Sequence, residues 1–592
     1  MKSGEKGSPM ELLIRILAVI GAISLLSTLL AIGIGVFLNS AGRKVHSRTI
    51  LEIDLTKGLR ESHPETVVNM LASQEYVLIR DIVLGLDAAA KDNRIKGVIA
   101  YMNGGLFKYA DVQEIRDAII RFKKSGKPAM VFAETFGSTR PGNSSYYLAT
   151  AFDYVALQPS GELGLTGLVS ESQFVMETLD KLDIKPQLEA RAEYKTARNM
   201  FTEKSYTPEH KEMARSIISS VEEKFVSDIA LARKIEVPTL KSLIRRGPFT
   251  AAQALHERLV DTLEYKDQLY KRIKQGVGKN PHLLYISKYV QRNRSRPPSG
   301  KAIALIYGEG SITQGKSRQD PFSGDMIMGA QTIAKAFRAA SRDKTVGAIV
   351  FRVNSPGGSY VGSDMIWRAA LVAQSMGKPL IVTMGATAGS GGYFVTMNAD
   401  KILAQPSTIT GSIGVVGGKL DVSGLFNKFG VTFDRVSTSP NATIWLPTTE
   451  YTPDQWNYIQ HSLDTIYNDF VRKFASGRKL ALEKAYELAK GRIYTGSQAL
   501  SLGLVDTLGG LYEAFREAKK LMNIPEDKPV LIKKFPKRVS LWERLWSKGM
   551  ENSEDVLTDD QLLNKEPLGI HDCLKNTMVR NSELIMERLI VY

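Results

Sequence analysis

Cysteine is almost missing from this chain: Cys573 is the only one in 592 residues. That excludes an intrachain disulfide framework and any cysteine-rich metal site. There is no HExxH, no phosphate-loop signature and no GxGxxG run after a strand, which removes the usual signs of zinc hydrolysis and nucleotide binding. Histidine is scarce too, with 7 in the whole chain. The 78 basic residues outnumber the 62 acidic ones for a net charge of +16. The excess is spread along the chain without interleaved aromatics, so it reads as solvated surface and not as a nucleic-acid footprint. The length exceeds what one core supports and points to several domains.

One long stretch lacks charge altogether, Ile16 to Leu38, "ILAVIGAISLLSTLLAIGIGVFL". At about 1.5 Å per residue such a helix covers a ~30 Å hydrocarbon core. A cleaved signal peptide has a shorter apolar region of about 7–15 residues, and "SAG" (Ser40 to Gly42) is a weak cleavage site. The run is therefore expected to be an uncleaved anchor in the lipid bilayer. Lys2, Lys6 and Arg15 before it balance Arg43, Lys44 and Arg48 after it, so the positive-inside comparison is a tie.

The rest of the chain is written twice. "FTAAQALHERLVDTL" (Phe249 to Leu263) recurs as "YTGSQALSLGLVDTL" (Tyr494 to Leu508). "TPE" at Thr207 recurs as "TPD" at Thr452, each opening a helical pattern with a Thr cap, Pro in the first turn and an acid at the dipole-positive end. "SGKPAMVF" (Ser125 to Phe132) echoes "MGKPLIVT", and "ALQPSGELGLTGL" (Ala156 to Leu168) echoes "LAQPSTITGSIGV". Apolar β runs alternate with helical stretches in each copy, which argues for a mostly parallel sheet covered by helices. The expected organisation is an anchor over 1–45 and α/β repeats over 46–290 and 301–530. The Arg- and Pro-rich 291–300 would link them, and a tail of no assigned role would fill 531–592.

The two copies differ in chemistry. "ATAGSGGYFVTM" (Ala386 to Met397) sets Ser390 among small residues after the apolar run "PLIVTM". This strand-to-helix turn leaves a substrate room to approach. Ser390 falls opposite Asn143, which cannot be the same nucleophile. The turn "NSPGGS" (Asn354 to Ser359) is eroded to "NGGLF" in the first copy. Its glycines offer a backbone N–H at Gly358 that, with that of Gly391, would hold a developing oxyanion. Serine needs a base, yet the nearest histidines, His282 and His461, lie far along the chain. The second copy has no lysine between Lys428 and Lys473, where the first copy carries Lys195. One half keeps the serine and the other the lysine, which proposes Lys195 as the base, neutral if burial lowers its pKa from about 10.4. The plainer readings are tight packing for Ser390 and a solvated charge for Lys195.

Anchor, duplication, "NSPGGS", "SGGY", "TGSIG" and the "YKTA" block at Lys195 together resemble the long, duplicated signal peptide peptidases of the protease IV type. The resemblance runs from the anchor to about Met522. It implies tandem crotonase/Clp-like α/β domains behind a transmembrane helix, with Ser390 as nucleophile and Lys195 as general base. It further implies Gly358 in the oxyanion hole, Ser412 of "TGSIG" orienting the lysine, and no metal or cofactor. The same resemblance implies a homotetramer in the bacterial inner membrane, N-terminus cytoplasmic and body periplasmic, that cleaves signal peptides and other unfolded hydrophobic peptides. The serine turn departs modestly, reading Ala-Gly-Ser-Gly-Gly. A crotonase-type acyl-CoA enzyme would use the same glycine turns without Ser390 or Lys195, and a non-catalytic membrane scaffold would need neither. The dyad is expected within one chain, because a short linker keeps the halves at high effective concentration.

Overall fold

Runs such as "IKGVIAYM" and "VGAIVFRVN" carry β-branched and apolar residues with almost no polar alternation, the pattern of strands covered on both faces. They form the middle strands of two separate sheets in a computed structural model of the chain. It describes residues 45–62, 76–278, 281–293, 300–320 and 323–536, with short helical pieces between 17 and 30. The anchor expected over 16–38 lies largely outside the described residues. Among the described residues no helix is long and apolar enough to cross a membrane.

The first sheet has six strands in the order Thr262–Leu263, Tyr154–Leu157, Ala129–Ala133, Ile95–Met102, Thr49–Asp54 and His282–Tyr285. All neighbours are parallel. The second sheet repeats that order with Thr507–Leu508, Lys401–Ala404, Leu380–Gly389, Val346–Ser355, Ala302–Glu309 and Leu531–Phe535. Leu531–Phe535 stands where His282–Tyr285 stands in the first sheet, so the second repeat runs past the boundary expected at 530. Lys533 and Lys534 hid this edge strand, since an exposed edge tolerates charge.

Each repeat carries a 26-residue helix, Pro208–Arg233 and Pro453–Arg478. In each, the capping threonine accepts a backbone N–H three residues on, and proline occupies the first turn. Each helix then stops at a left-handed lysine, Lys234 or Lys479. The apolar face of the first buries Val221, Phe225 and Ile229, and that of the second buries Phe470, Val471 and Phe474. Each such side chain contributes roughly 1.5–3 kcal/mol on leaving water.

The halves are interlocked. Strand Lys185–Arg191 of the first half belongs to neither large sheet and pairs antiparallel with Val415–Asp421 of the second, Arg191 opposite Val415. Around this ribbon Leu179, Met200, Phe201 and Met213 pack with Ile409, Leu420 and Ile493 in one core. Elsewhere the buried Arg352 guanidinium bonds the carboxylates of Glu61 (2.7 Å) and Glu114 (2.8 Å) from the other half. Breaking such a buried pair costs about 3–5 kcal/mol, since the survivor is left charged and dry.

Candidate active site

Ser390 follows strand Leu380–Gly389 and caps the short helix Gly391–Phe394. Its backbone takes φ 52° and ψ −119°, a conformation uncommon for a residue with a Cβ and found where a side chain must be thrust out of a tight turn. The Ser390 N–H donates to the Gly411 carbonyl at 2.9 Å, which pins the turn to the neighbouring segment. Half-buried, its hydroxyl opens on a pocket of about 280 Å³.

Lys195 arrives from the first half. The paired strand Lys185–Arg191 ends beside Val415, and three hydrogen bonds then hold the turn after it: Tyr194 N–H to the Lys490 carbonyl (2.9 Å), Lys195 N–H to Ala192 (3.1 Å) and Thr196 N–H to Tyr194 (2.9 Å). The Nζ of Lys195 lies 3.0 Å from Ser390 Oγ, 2.9 Å from Ser412 Oγ and 2.8 Å from the Ser412 carbonyl oxygen. Lys195 is only 6% exposed. Among the described residues no carboxylate pairs with it, so burial alone acts on the amine and lowers its pKa from 10.5 to about 7. A carbonyl can only accept, so one Nζ–H points at Ser412. A neutral amine still has its lone pair for the Ser390 hydroxyl proton.

The glycine loop completes the enclosure. Gly358 has φ 138°, and a Cβ there would strike the Ile312 carbonyl. The space where a Gly391 Cβ would sit is 3.2 Å from the Gly358 nitrogen, so the two glycines are neighbours at the serine turn. Among the described residues neither donates a hydrogen bond, leaving both for an oxygen at Ser390. The structure thus brings Ser390, Lys195, Ser412, Gly358 and Gly391 to one pocket.

Other residues there carry no strong sequence signal. Gly491, with φ 76°, lies against the backbone and Cβ of Lys195, where any side chain would push the lysine away. The repeat hints at it, for Arg246 occupies that place in the first half. Ser311 lines the same pocket with a buried hydroxyl that has no hydrogen-bond partner among the described residues. Much of the remaining wall is apolar, from Leu188, Phe201, Met213, Val415, Phe470 and Ile493, with Arg198, Thr196 and Ser363 among the polar residues beside them.

The first half has closed the equivalent place. Asn143 is 1% exposed; its Oδ1 accepts from the N–H groups of Thr166 (3.0 Å) and Gly167 (3.3 Å), and its Nδ2 donates to the Gly167 carbonyl (2.8 Å). It clasps a loop where Ser390 opens a pocket. Among the described residues no group of three or more His, Cys, Asp or Glu side chains is placed to hold a metal ion.

Against known proteins, the model of peptidase family S49 matches residues 121–280 and 372–525. Protease 4 of Salmonella typhi is 31% identical over 460 residues, 75% of this chain and 72% of that protein. A chloroplastic serine protease SPPA of Arabidopsis thaliana is 31% identical over 75% of this chain and 66% of its own length. A putative signal peptide peptidase SppA of Enterococcus faecium is 35% identical over 32% of this chain and 55% of its own.

Proposed function

Because the chain belongs to peptidase family S49 and is a serine protease of that family, we propose that it hydrolyses peptide bonds through Ser390 with Lys195 as general base. The observation that carries this reading is a buried amine with a pKa near 7, 3.0 Å from the serine hydroxyl and paired with no carboxylate among the described residues. In its neutral form Lys195 takes the Ser390 proton as Oγ attacks the scissile carbonyl. The carbonyl oxygen, now negative, receives the N–H groups of Gly358 and Gly391. The lysine ammonium then gives its proton to the leaving amine, and the C–N bond breaks to leave an acyl-serine. Water loses a proton to Lys195, attacks the ester and releases the acid and Ser390. Ser412 holds the amine in line throughout, accepting from one Nζ–H at its carbonyl.

The substrates proposed are cleaved signal peptides and other unfolded hydrophobic peptides. The largely apolar pocket wall supports this, as does the likeness to the putative signal peptide peptidase SppA of Enterococcus faecium. We further propose crotonase/Clp-like repeats held by the apolar run 16–38 in a bacterial inner membrane. The N-terminus would be cytoplasmic, the body periplasmic and the assembly a homotetramer.

Activity should follow the lysine. Its amine is neutral above its pKa, so labelling of Ser390 by a fluorophosphonate should rise through about pH 7 and level off towards pH 9. Ser390→Ala should take no label. A rate that does not change between pH 6 and 9 would remove Lys195 as base.

A further inference from the structure

Strand Ser311–Thr313 braces the loop that carries Gly358. Its middle residue makes the contacts: Ile312 N–H donates to the Gly357 carbonyl (2.7 Å), and Ser359 N–H donates to the Ile312 carbonyl (2.8 Å). The Ile312 side chain is 1% exposed and packs in the core of the second half. Side chains alternate along a strand, so Ser311 turns the other way, to the pocket it lines with Ser390 and Gly358. The far edge of the strand is taken by Met326–Gly329, with Ser311 opposite Ile327. What Ser311 has left to offer is its hydroxyl.

That hydroxyl is unsatisfied. Ser311 is 6% exposed, and among the described residues its Oγ has no hydrogen-bond partner. An unpaired buried hydroxyl lowers stability in a way that alanine at the same place would not. Nearby hydroxyls of the pocket are committed within the protein. Ser363 donates to the Ser359 carbonyl (2.9 Å), Tyr360 donates to Asp469 (2.6 Å) and Ser412 Oγ bonds Lys195 (2.9 Å). The first half differs at this position. There Leu59–Arg60 pairs with Val77–Leu78 just before helix Ile79–Lys91, as Ile312–Thr313 pairs with Met328–Gly329 just before helix Ala330–Arg342. Ser311 therefore corresponds to Gly58, which has no side chain, in the half where Asn143 clasps a loop.

We propose that Ser311 is a specificity residue, favouring substrates that set a serine or threonine side chain against it beside the bond that Ser390 cleaves. This rests on the peptidase reading. The substrate hydroxyl donates to Ser311 Oγ or accepts from it, since a hydroxyl can do both. The remainder of such a side chain is small and apolar, in keeping with a cavity of about 280 Å³ whose wall is largely apolar. A site that hydrogen-bonds a substrate hydroxyl rejects the analogue lacking it, because its own polar group is then left unpaired. Alanine and valine are the analogues refused here. A contact with substrate backbone would serve every peptide alike and create no such preference.

The test takes full-length protein in detergent and leucine- and alanine-based peptides. One position at a time carries Ser or Ala, Thr or Val, and mass spectrometry locates the cleaved bond. At one position the wild type should cleave the Ser and Thr peptides with kcat/KM at least about fivefold above their Ala and Val partners. Ser311→Ala should bring both ratios within about twofold, and Ser311→Thr, which keeps the hydroxyl, should retain them. Ser311→Ala should also unfold no earlier than wild type on heating, because it removes an unpaired group. Earlier unfolding would show that the hydroxyl is already satisfied and would overturn the proposal. So would a wild type with no hydroxyl preference at any position, a preference that survives Ser311→Ala, or an equal loss for all four peptides. Fluorophosphonate labelling of wild-type Ser390 separates the two readings. Label and cleavage without preference sink this inference alone, whereas neither label nor cleavage removes the peptidase reading and this inference with it.

Discussion

In the second half Ser390 opens a pocket, whereas in the first half Asn143, at the same place in the same frame, uses its amide to clasp residues 166–167. In the first half Lys195 enters the buried seam between repeats, whereas the second half has no lysine between Lys428 and Lys473 to do the same. Six strands in one order and a 26-residue helix are common to both. A duplicated frame therefore tolerates loss of half the chemistry from each copy, provided the halves dock so that the remainders meet. Docking also creates what neither half has alone, a buried site where no carboxylate among the described residues pairs with the lysine, which loses its proton near neutral pH.

The contrast breaks most sharply at the dyad. Ser390→Ala and Lys195→Ala should each lower peptide turnover on the order of 10⁴-fold or more, with melting temperature little changed. Lys195→Arg should be equally inactive, because guanidinium stays protonated at any working pH. Peptide cleavage by purified Lys195→Ala at pH 8 within tenfold of wild type would end the lysine assignment.

The docking itself is open to attack far from the pocket. Arg352→Met leaves Glu61 and Glu114 buried together without their cation, and should destabilise the fold by about 3–5 kcal/mol. Activity should fall with the folded fraction in thermal and denaturant unfolding. Unchanged stability would mean the two halves are held almost wholly by the apolar core around Met213 and Ile493.

The smallest effect is expected in the silent half. Asn143→Ala removes three part-buried hydrogen bonds to residues 166–167, at a cost of about 0.5–1.5 kcal/mol in stability for each. The turnover of the folded enzyme should not change. Reduced turnover at full folding would show that the first-half loop communicates with the pocket.

Much of this was legible in the residues. The duplication, the Thr-Pro helix starts and the Ser390 turn are local patterns, and the comparison of copies singled out Lys195 by what each copy lacks. The cross-half ribbon was not legible, because "KPQLEAR" and "VVGGKLD" show no strict alternation and each is a strand only against the other. The Ser412 carbonyl is a backbone group, present at every residue and unmarked by sequence. Gly491 reads as an ordinary turn until Lys195 is seen lying on it. The strand Leu531–Phe535 was masked by its two lysines. The anchor was read from charge and length, and residues 16–38 lie largely outside those described.

The most direct test of one site built from complementary halves of a single chain is to mix the defects. Ser390→Ala chains and Lys195→Ala chains, differently tagged, would be co-expressed and the assemblies carrying both tags purified. With Lys195 and Ser390 of one chain 3.0 Å apart, no chain in such an assembly holds a complete dyad, and the account predicts no turnover and no fluorophosphonate label. Recovery of a sizeable fraction of wild-type turnover would mean that the lysine of one copy serves the serine of the next, which contradicts it.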